Sequence, residues 1–341
     1  MYGKMTGFTL QSSIILGSDS DSQYLGLNLQ EADNHMTLPS KSMHRQRIWV
    51  LGLKSLPLLI AFHGSTENPE IFRSRTTDFA YDQLASQEGF IVAYPTGYKG
   101  NWNDSRRAVN YPAKVENIDD IAFTKAIIDF AHKKWSTSLT KTLIAGYSNG
   151  GHMCYRLALE LGSSLISGVA IHCANLPTLD NSDCIPIQSD AIPICIINGT
   201  ADPINPWIGG IVSLGNQKGT VGGRGSHQSS IQSIDYFANR YLELGEELEI
   251  EEIQKSEIMD LRQFRSMSDR KLKVQLIAMI GEGHYVPVAT GEKRALIIGP
   301  RRGAVHAPRL AIEFFKEATG VFYKSHCQRQ RKDSDFSDAS L

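Results

Sequence analysis

Net charge is almost absent from this chain: 35 lysines and arginines stand against 36 aspartates and glutamates, a formal −1 over 341 residues. No long-range field of one sign can gather nucleic acid or an anionic bilayer surface, so neither class of partner is expected. Long hydrophobic runs are missing as well. The most apolar stretches, Leu56 to Phe62 and Leu165 to Ile171, fall far short of the roughly 20 residues that a membrane-crossing helix needs, and no integral membrane contact is expected. Cysteine is scarce and odd in number: Cys154, Cys173, Cys184, Cys195 and Cys327, without metal-type spacing. Small buried hydrophobes in a reduced framework are the expected reading, and a Cys173 to Cys184 bridge closing a short loop stays open as the alternative. Near the N-terminus Gln11, Ser12 and Ser13 interrupt the run Phe8 to Gly17, and no small-residue cleavage site follows it. That pattern lacks an export signal and favours a soluble, cytoplasmic protein, with the compartment left open.

What is present suffices for a substantial core: 41% hydrophobic content over this length fits one α/β domain better than two. Residues 1–45, rich in Ser, Asp, Asn and Gln, read as an extended or partly disordered leader, 46–320 as the single domain, and 321–341 as a polar tail. Arg47 to Leu51 reads as an edge strand. Further strands are expected at Leu56 to Phe62, Phe90 to Tyr94, Thr142 to Ala145, Leu165 to Cys173, Ile192 to Asn198 and Lys273 to Ile280. Helices are expected at Phe79 to Glu88, Asp119 or Asp120 to Trp135, Met153 to Leu161, Ser229 to Leu244 and Ala307 to Ala318. Pro206 to Ser226, with seven glycines, reads as a long mobile loop, and 245–271 fits a strand as well as a helix. Alternating apolar strands and helices predict a doubly wound, mostly parallel sheet, whose ligands would gather at the carboxyl ends of the strands.

One stretch at such an end carries chemistry. Gly146-Tyr147-Ser148-Asn149-Gly150 follows an apolar run and precedes a helical segment, the strand, sharp turn and helix of a nucleophile elbow. A serine hydroxyl attacks only when a base removes its proton, and the base needs an anion to orient it. Asp202, in Gly199-Thr200-Ala201-Asp202-Pro203, and His284, in Gly281-Glu282-Gly283-His284, each follow directly on an expected strand. Ser148, Asp202 and His284 stand in the Ser, acid, His order of α/β-hydrolases. Asp202 before Pro203 also suits a simple turn cap, and His306, read as a helix-start residue, is the competing base. His152 and His172 read as packed, His63 as a structural hydrogen-bonder, and His227 has no assigned role. An oxyanion needs two donors, expected to be the backbone N–H groups of Asn149 and Ser65. Trp102 and Trp207 are candidates for a substrate-pocket wall.

Beyond the elbow, the blocks Leu58 to Gly64, Tyr94-Pro95-Thr96-Gly97, Trp102-Asn103, Ile118 to Phe123, Gly146 to Gly151, Asn198 to Pro203 and Gly281 to His284 resemble the polyhydroxybutyrate depolymerase and feruloyl esterase type of α/β-hydrolase. The likeness runs from about Arg47 to Phe315 and keeps the order of the blocks. It implies a carboxylic ester hydrolase without metal or organic cofactor, Ser148 as nucleophile, Asp202 as acid and His284 as base, and a small-molecule or polymeric ester as substrate. Two departures bear on substrate identity: many members carry a cysteine where Ser65 stands, and a Trp-Pro after the base histidine, where this chain has Tyr285-Val286-Pro287. A peptidase or acyltransferase on the same scaffold, or a non-catalytic binding protein that keeps the fold, are the alternatives. Oligomeric state is not legible.

Overall fold

The computed structural model describes residues 11–17, 23–28, 55–213, 223–288, 298–303 and 305–322. The expected strand Arg47 to Leu51, Cys327, most of the polar tail and the middle of the glycine-rich stretch lie outside them. Strands β1 (Gln11–Gly17), β2 (Gln23–Asn28), β3 (Leu56–Phe62), β4 (Ile91–Pro95), β5 (Thr137–Tyr147), β6 (Ile166–His172), β7 (Ile194–Gly199), β8 (Gly210–Ser213), β9 (Gly223–His227), β10 (Leu248–Ser256), β11 (Met259–Ser266) and β12 (Leu272–Met279) form two sheets. The large one runs β10-β11-β12-β7-β6-β5-β3-β4-β1-β2, and β8 with β9 makes a small antiparallel pair. Its six central strands, β12 through β4, are parallel, and antiparallel pairs extend it at both edges.

The central strands read as continuous apolar runs because both faces of the sheet are covered. Alternation shows within each run: Leu58, Ile60 and Phe62 of β3 join one core layer, while Leu59 and Ala61 join the other. Helices α1 (Ala80–Glu88), α2 (Asp120–Trp135), α3 (Asn149–Glu160), α4 (Ser230–Glu243) and α5 (Ala307–Thr319) supply the covers. Phe123, Ile127 and Ala131 of α2, Met153 and Leu157 of α3, and Ile234 and Phe237 of α4 fill the first layer. Tyr81 and Leu84 of α1 and Ala311, Phe314 and Phe315 of α5 fill the second. This layered parallel sheet with crossover helices is the α/β-hydrolase fold.

Several stretches differ from the expected elements or settle what the sequence left open. The elbow helix starts at Asn149 rather than Met153. The unassigned 245–271 stretch forms the hairpin β10–β11, its charged residues paired across strands, Arg262 with Glu252 at 2.6 Å and Arg265 with Glu251 at 3.7 Å. Part of the glycine-rich stretch is strand rather than loop, β8 and β9, and it buries His227. Inside the stretch read as a leader, β1 pairs with β4 and β2 with β1.

Candidate active site

Parallel pairing aligns the carboxyl ends of β3, β5, β6, β7 and β12 on one edge, with Phe62 opposite Gly146, Tyr147 opposite His172, His172 opposite Ile197, and Met279 opposite Gly199. The residues that follow those ends therefore converge. Ser148, between β5 and α3, takes φ 53° and ψ −114°, a conformation that costs a side-chain-bearing residue about 1–3 kcal/mol. The turn is tight enough that a Cβ on Gly146 would strike the Gly150 carbonyl, and one on Gly150 would strike the Phe62 carbonyl. Only glycine fits at either place.

The elbow brings the Ser148 hydroxyl 2.9 Å from His284 Nε2, and His284 Nδ1 lies 2.7 Å from Asp202 Oδ2. All three residues are buried. Asp202 also accepts hydrogen bonds from the backbone N–H groups of Ile204 and Asn205 through Oδ1, both at 2.8 Å. That fixes the carboxylate and leaves Oδ2 for the imidazole. With Asp202 bound at Nδ1, the ring presents Nε2 to the hydroxyl, the tautomer a base requires. Tyr147 braces the histidine from beneath by donating its OH to the His284 carbonyl at 2.9 Å. Cys173 Sγ lies near the same carboxylate and imidazole, all three donor atoms within 4.8 Å. Yet both His284 nitrogens are engaged and the thiol donates to the Tyr285 carbonyl at 3.2 Å, so the donors are already satisfied as a relay. Burial pushes that thiol up, with Asp202 and Glu282 adding to the effect.

Cys173 and Cys184 are both free thiols, so the bridge left open by the sequence is not formed. His306 caps α5, its Nδ1 accepting from the Arg309 N–H at 3.2 Å, and stands apart from the relay. His63 is buried, bonds the Gly64 carbonyl through Nδ1 at 2.8 Å and accepts the Gly97 N–H at Nε2 at 2.9 Å. Burial lowers it to about 4, against the raising effect of the Gly64 carbonyl, which suits a neutral structural hydrogen-bonder. The Asn149 and Ser65 N–H groups have no acceptor among the described residues. Trp102 requires a correction as a pocket-wall residue. Its indole has no exposed surface, packs edge-on to Phe62 at 5.1 Å and donates Nε1–H to the His63 carbonyl at 3.0 Å. It holds the β3 turn from within. Trp207 is half-buried against the core and keeps some surface, unlike Trp102.

A network not legible in the sequence supports Asn149, the residue after Ser148. The Asn149 side chain accepts the Trp102 N–H at 2.9 Å and donates to Asp104 Oδ2 at 2.6 Å. Asp104 forms a fully buried ion pair with Arg106. Burial would raise the Asp104 carboxyl, but Arg106 outweighs it and holds the group below the usual carboxylate range. Arg106 Nη2 also reaches Tyr111 OH at 3.5 Å, and Ser65 Oγ donates to the same oxygen at 3.2 Å. The only advance signal was the density of polar residues between Trp102 and Arg107, in a loop without periodicity.

No protein-family model matches the chain. A probable acetylxylan esterase A of Aspergillus clavatus is 29% identical over 147 residues, 40% of this chain and 46% of that protein. A bifunctional acetylxylan esterase/xylanase, XynS20E, of Neocallimastix patriciarum is 26% identical over 111 residues, 32% of this chain and 14% of that protein. The chain thus spans less than half the length of these curated relatives. Among solved structures, an acetyl xylan esterase from Aspergillus awamori aligns over 69% of this chain and 86% of its own, with 15% identity and a TM-score of 0.46. Among the described residues no helix is long and apolar enough to cross a membrane.

Proposed function

We propose that this chain is a serine carboxylic ester hydrolase that works through an acyl-enzyme, with Ser148 as nucleophile, His284 as base and Asp202 as its orienting acid. The observation that carries the reading is the continuous hydrogen-bonded relay from Asp202 through His284 to a serine held in a strained turn. An ordinary packed serine has no reason to adopt that backbone. In the forward step Ser148 Oγ attacks the ester carbonyl carbon while Nε2 takes its proton. Asp202 stabilises the imidazolium, and the Asn149 and Ser65 N–H groups receive the negative charge on the carbonyl oxygen. Collapse expels the alcohol, protonated by His284. Water, deprotonated by the same nitrogen, then attacks the acyl-enzyme and frees the acid.

Similarity to acetylxylan esterases supports ester rather than amide substrates, carried on a polymer or a small molecule. Replacing Ser148→Ala should lower hydrolysis of p-nitrophenyl acetate on the order of 10⁴-fold or more and abolish covalent labelling by a fluorophosphonate probe. Retained labelling or near-normal turnover in that variant would remove Ser148 from the mechanism. A panel of acetyl, feruloyl and hydroxybutyrate esters beside matched amides separates esterase from peptidase.

A further inference from the structure

The ion-pair network beside the elbow contains one more cation than its carboxylates can pair. Arg224, on β9, sits with its guanidinium carbon 5.3 Å from the centre of the Tyr111 ring, and Arg106 lies 5.6 Å from the same ring. The carboxylate in electrostatic reach of Arg224 is Asp104, already committed to Arg106 and to the Asn149 amide. The Arg224 guanidinium makes no hydrogen bond or ion pair among the described residues. It is also half-buried, where an unpaired charge is costly to keep. Tyr111, over which it lies, bonds Ser65, one of the two oxyanion donors proposed above. The neighbouring wall is polar too. His152, four residues past the nucleophile, and His227, three past Arg224, face each other with ring centres 4.8 Å apart. His152 Nδ1 and His227 Nε2 are both buried without a partner among the described residues.

We infer that Arg224, over Tyr111, forms a carboxylate-binding subsite beside the nucleophile, so that the preferred ester carries a free carboxylate away from its scissile bond. The inference rests on the esterase reading for its placement in catalysis. An Arg guanidinium is the side chain best matched to a carboxylate, which it grips with two parallel N–H donors. The carboxylate has two possible sources, the acyl part or the alcohol part. Two matched pairs separate them: p-nitrophenyl hydrogen glutarate against p-nitrophenyl valerate, and an acetylated uronic acid against the acetylated neutral sugar.

The test compares kcat/KM within each pair on the full chain. The wild type should favour the carboxylated ester about tenfold or more in one pair, and Arg224→Met should bring that ratio to about one or below. Arg224→Lys should restore part of it. Because each ratio is taken on one preparation, loss of fold lowers both esters and leaves the ratio unmoved. Calorimetric titration of glutarate into Ser148→Ala, with and without Arg224→Met, needs no turnover. Arg224-dependent glutarate binding by a chain that hydrolyses no ester would sustain the subsite and overturn the esterase reading. Hydrolysis without carboxylate preference in either pair, together with no Arg224-dependent glutarate binding, would overturn the subsite and leave the esterase intact.

Discussion

Backbone strain at Ser148, the proposed nucleophile, has a measurable sign. Ser148 takes φ 53° and ψ −114°, and the cost of holding a residue with a Cβ there is about 1–3 kcal/mol. Ser148→Ala keeps the Cβ, hence the strain, and removes only the hydroxyl and its bond to His284. Ser148→Gly removes the hydroxyl and the strain together. The lost bond to His284 is common to both, so their difference isolates the backbone. Glycine carries a penalty of about 0.5–1 kcal/mol from the greater freedom of its unfolded chain. Subtracting that from the strain leaves Ser148→Gly more stable than Ser148→Ala by about 1 kcal/mol, or about 2 °C in Tm for a domain of this size. At an unstrained position the order would be reversed. Urea unfolding of the two variants reads the sign directly. If Ser148→Gly were the less stable by 0.5 kcal/mol or more, the elbow would hold no strain and its backbone would give no argument for a catalytic serine.

Two further perturbations probe the surroundings. Arg106→Met leaves the Asp104 carboxylate buried without its ion-pair partner, with only Lys114 and Arg224 left in electrostatic reach, and should destabilise the fold by about 3–5 kcal/mol; adding Asp104→Asn should recover part of that, and a single-variant loss below about 1 kcal/mol in chemical denaturation would show the pair to be solvated. Asp120 is raised to about 7, mainly by burial, with the Asn103 N–H and Arg156 opposing. Its folded value lies above the unfolded one, so its contribution to stability is full below about pH 4 and is lost as pH rises through about 7. Wild-type stability relative to Asp120→Asn should therefore fall by roughly 3 kcal/mol between pH 5 and pH 8, and parallel pH profiles for the two proteins would refute the assignment.

The strands that lead to the site were legible because each is a short apolar run with a glycine close behind it. Leu56 to Phe62 stops at His63-Gly64, Ile192 to Asn198 at Gly199, and Lys273 to Ile280 at Gly281. A strand buried on both faces has no other way to read. The elbow helix begins four residues before the start its sequence suggests, because Asn149-Gly150-Gly151-His152 has poor helix propensity, which the packing of Gly150 against the β3 turn, where no side chain fits, overrides. The hairpin β10–β11 stayed ambiguous because its glutamates and arginines alternate irregularly with Leu248, Ile250 and Ile253, and cross-strand pairing is not visible in one strand. The Asp104, Arg106 and Asn149 network was illegible for the same kind of reason. It joins a loop to a helix 45 residues further on, and nothing periodic links the two.

Burial alone does not single out the proposed base, and the histidines show why. His63, His152, His172, His227 and His284 are all buried. Desolvation lowers His63 to about 4 and both His172 and His227 to about 3, and it lowers His152 well below the ordinary value. Such rings stay neutral at any ordinary pH and accept a proton poorly, which fits them for structural bonds: His172 to Tyr81 OH at 2.8 Å, His227 to Asn205 at 3.1 Å. A base must instead carry the proton for the lifetime of the intermediate, which a dry site permits only beside a negative charge. Among the buried histidines of the described residues, His284 alone has a carboxylate against its ring. The same carboxylate that orients it therefore distinguishes it, and removing that charge by Asp202→Asn should lower kcat on the order of 10⁴-fold with the histidine still in place.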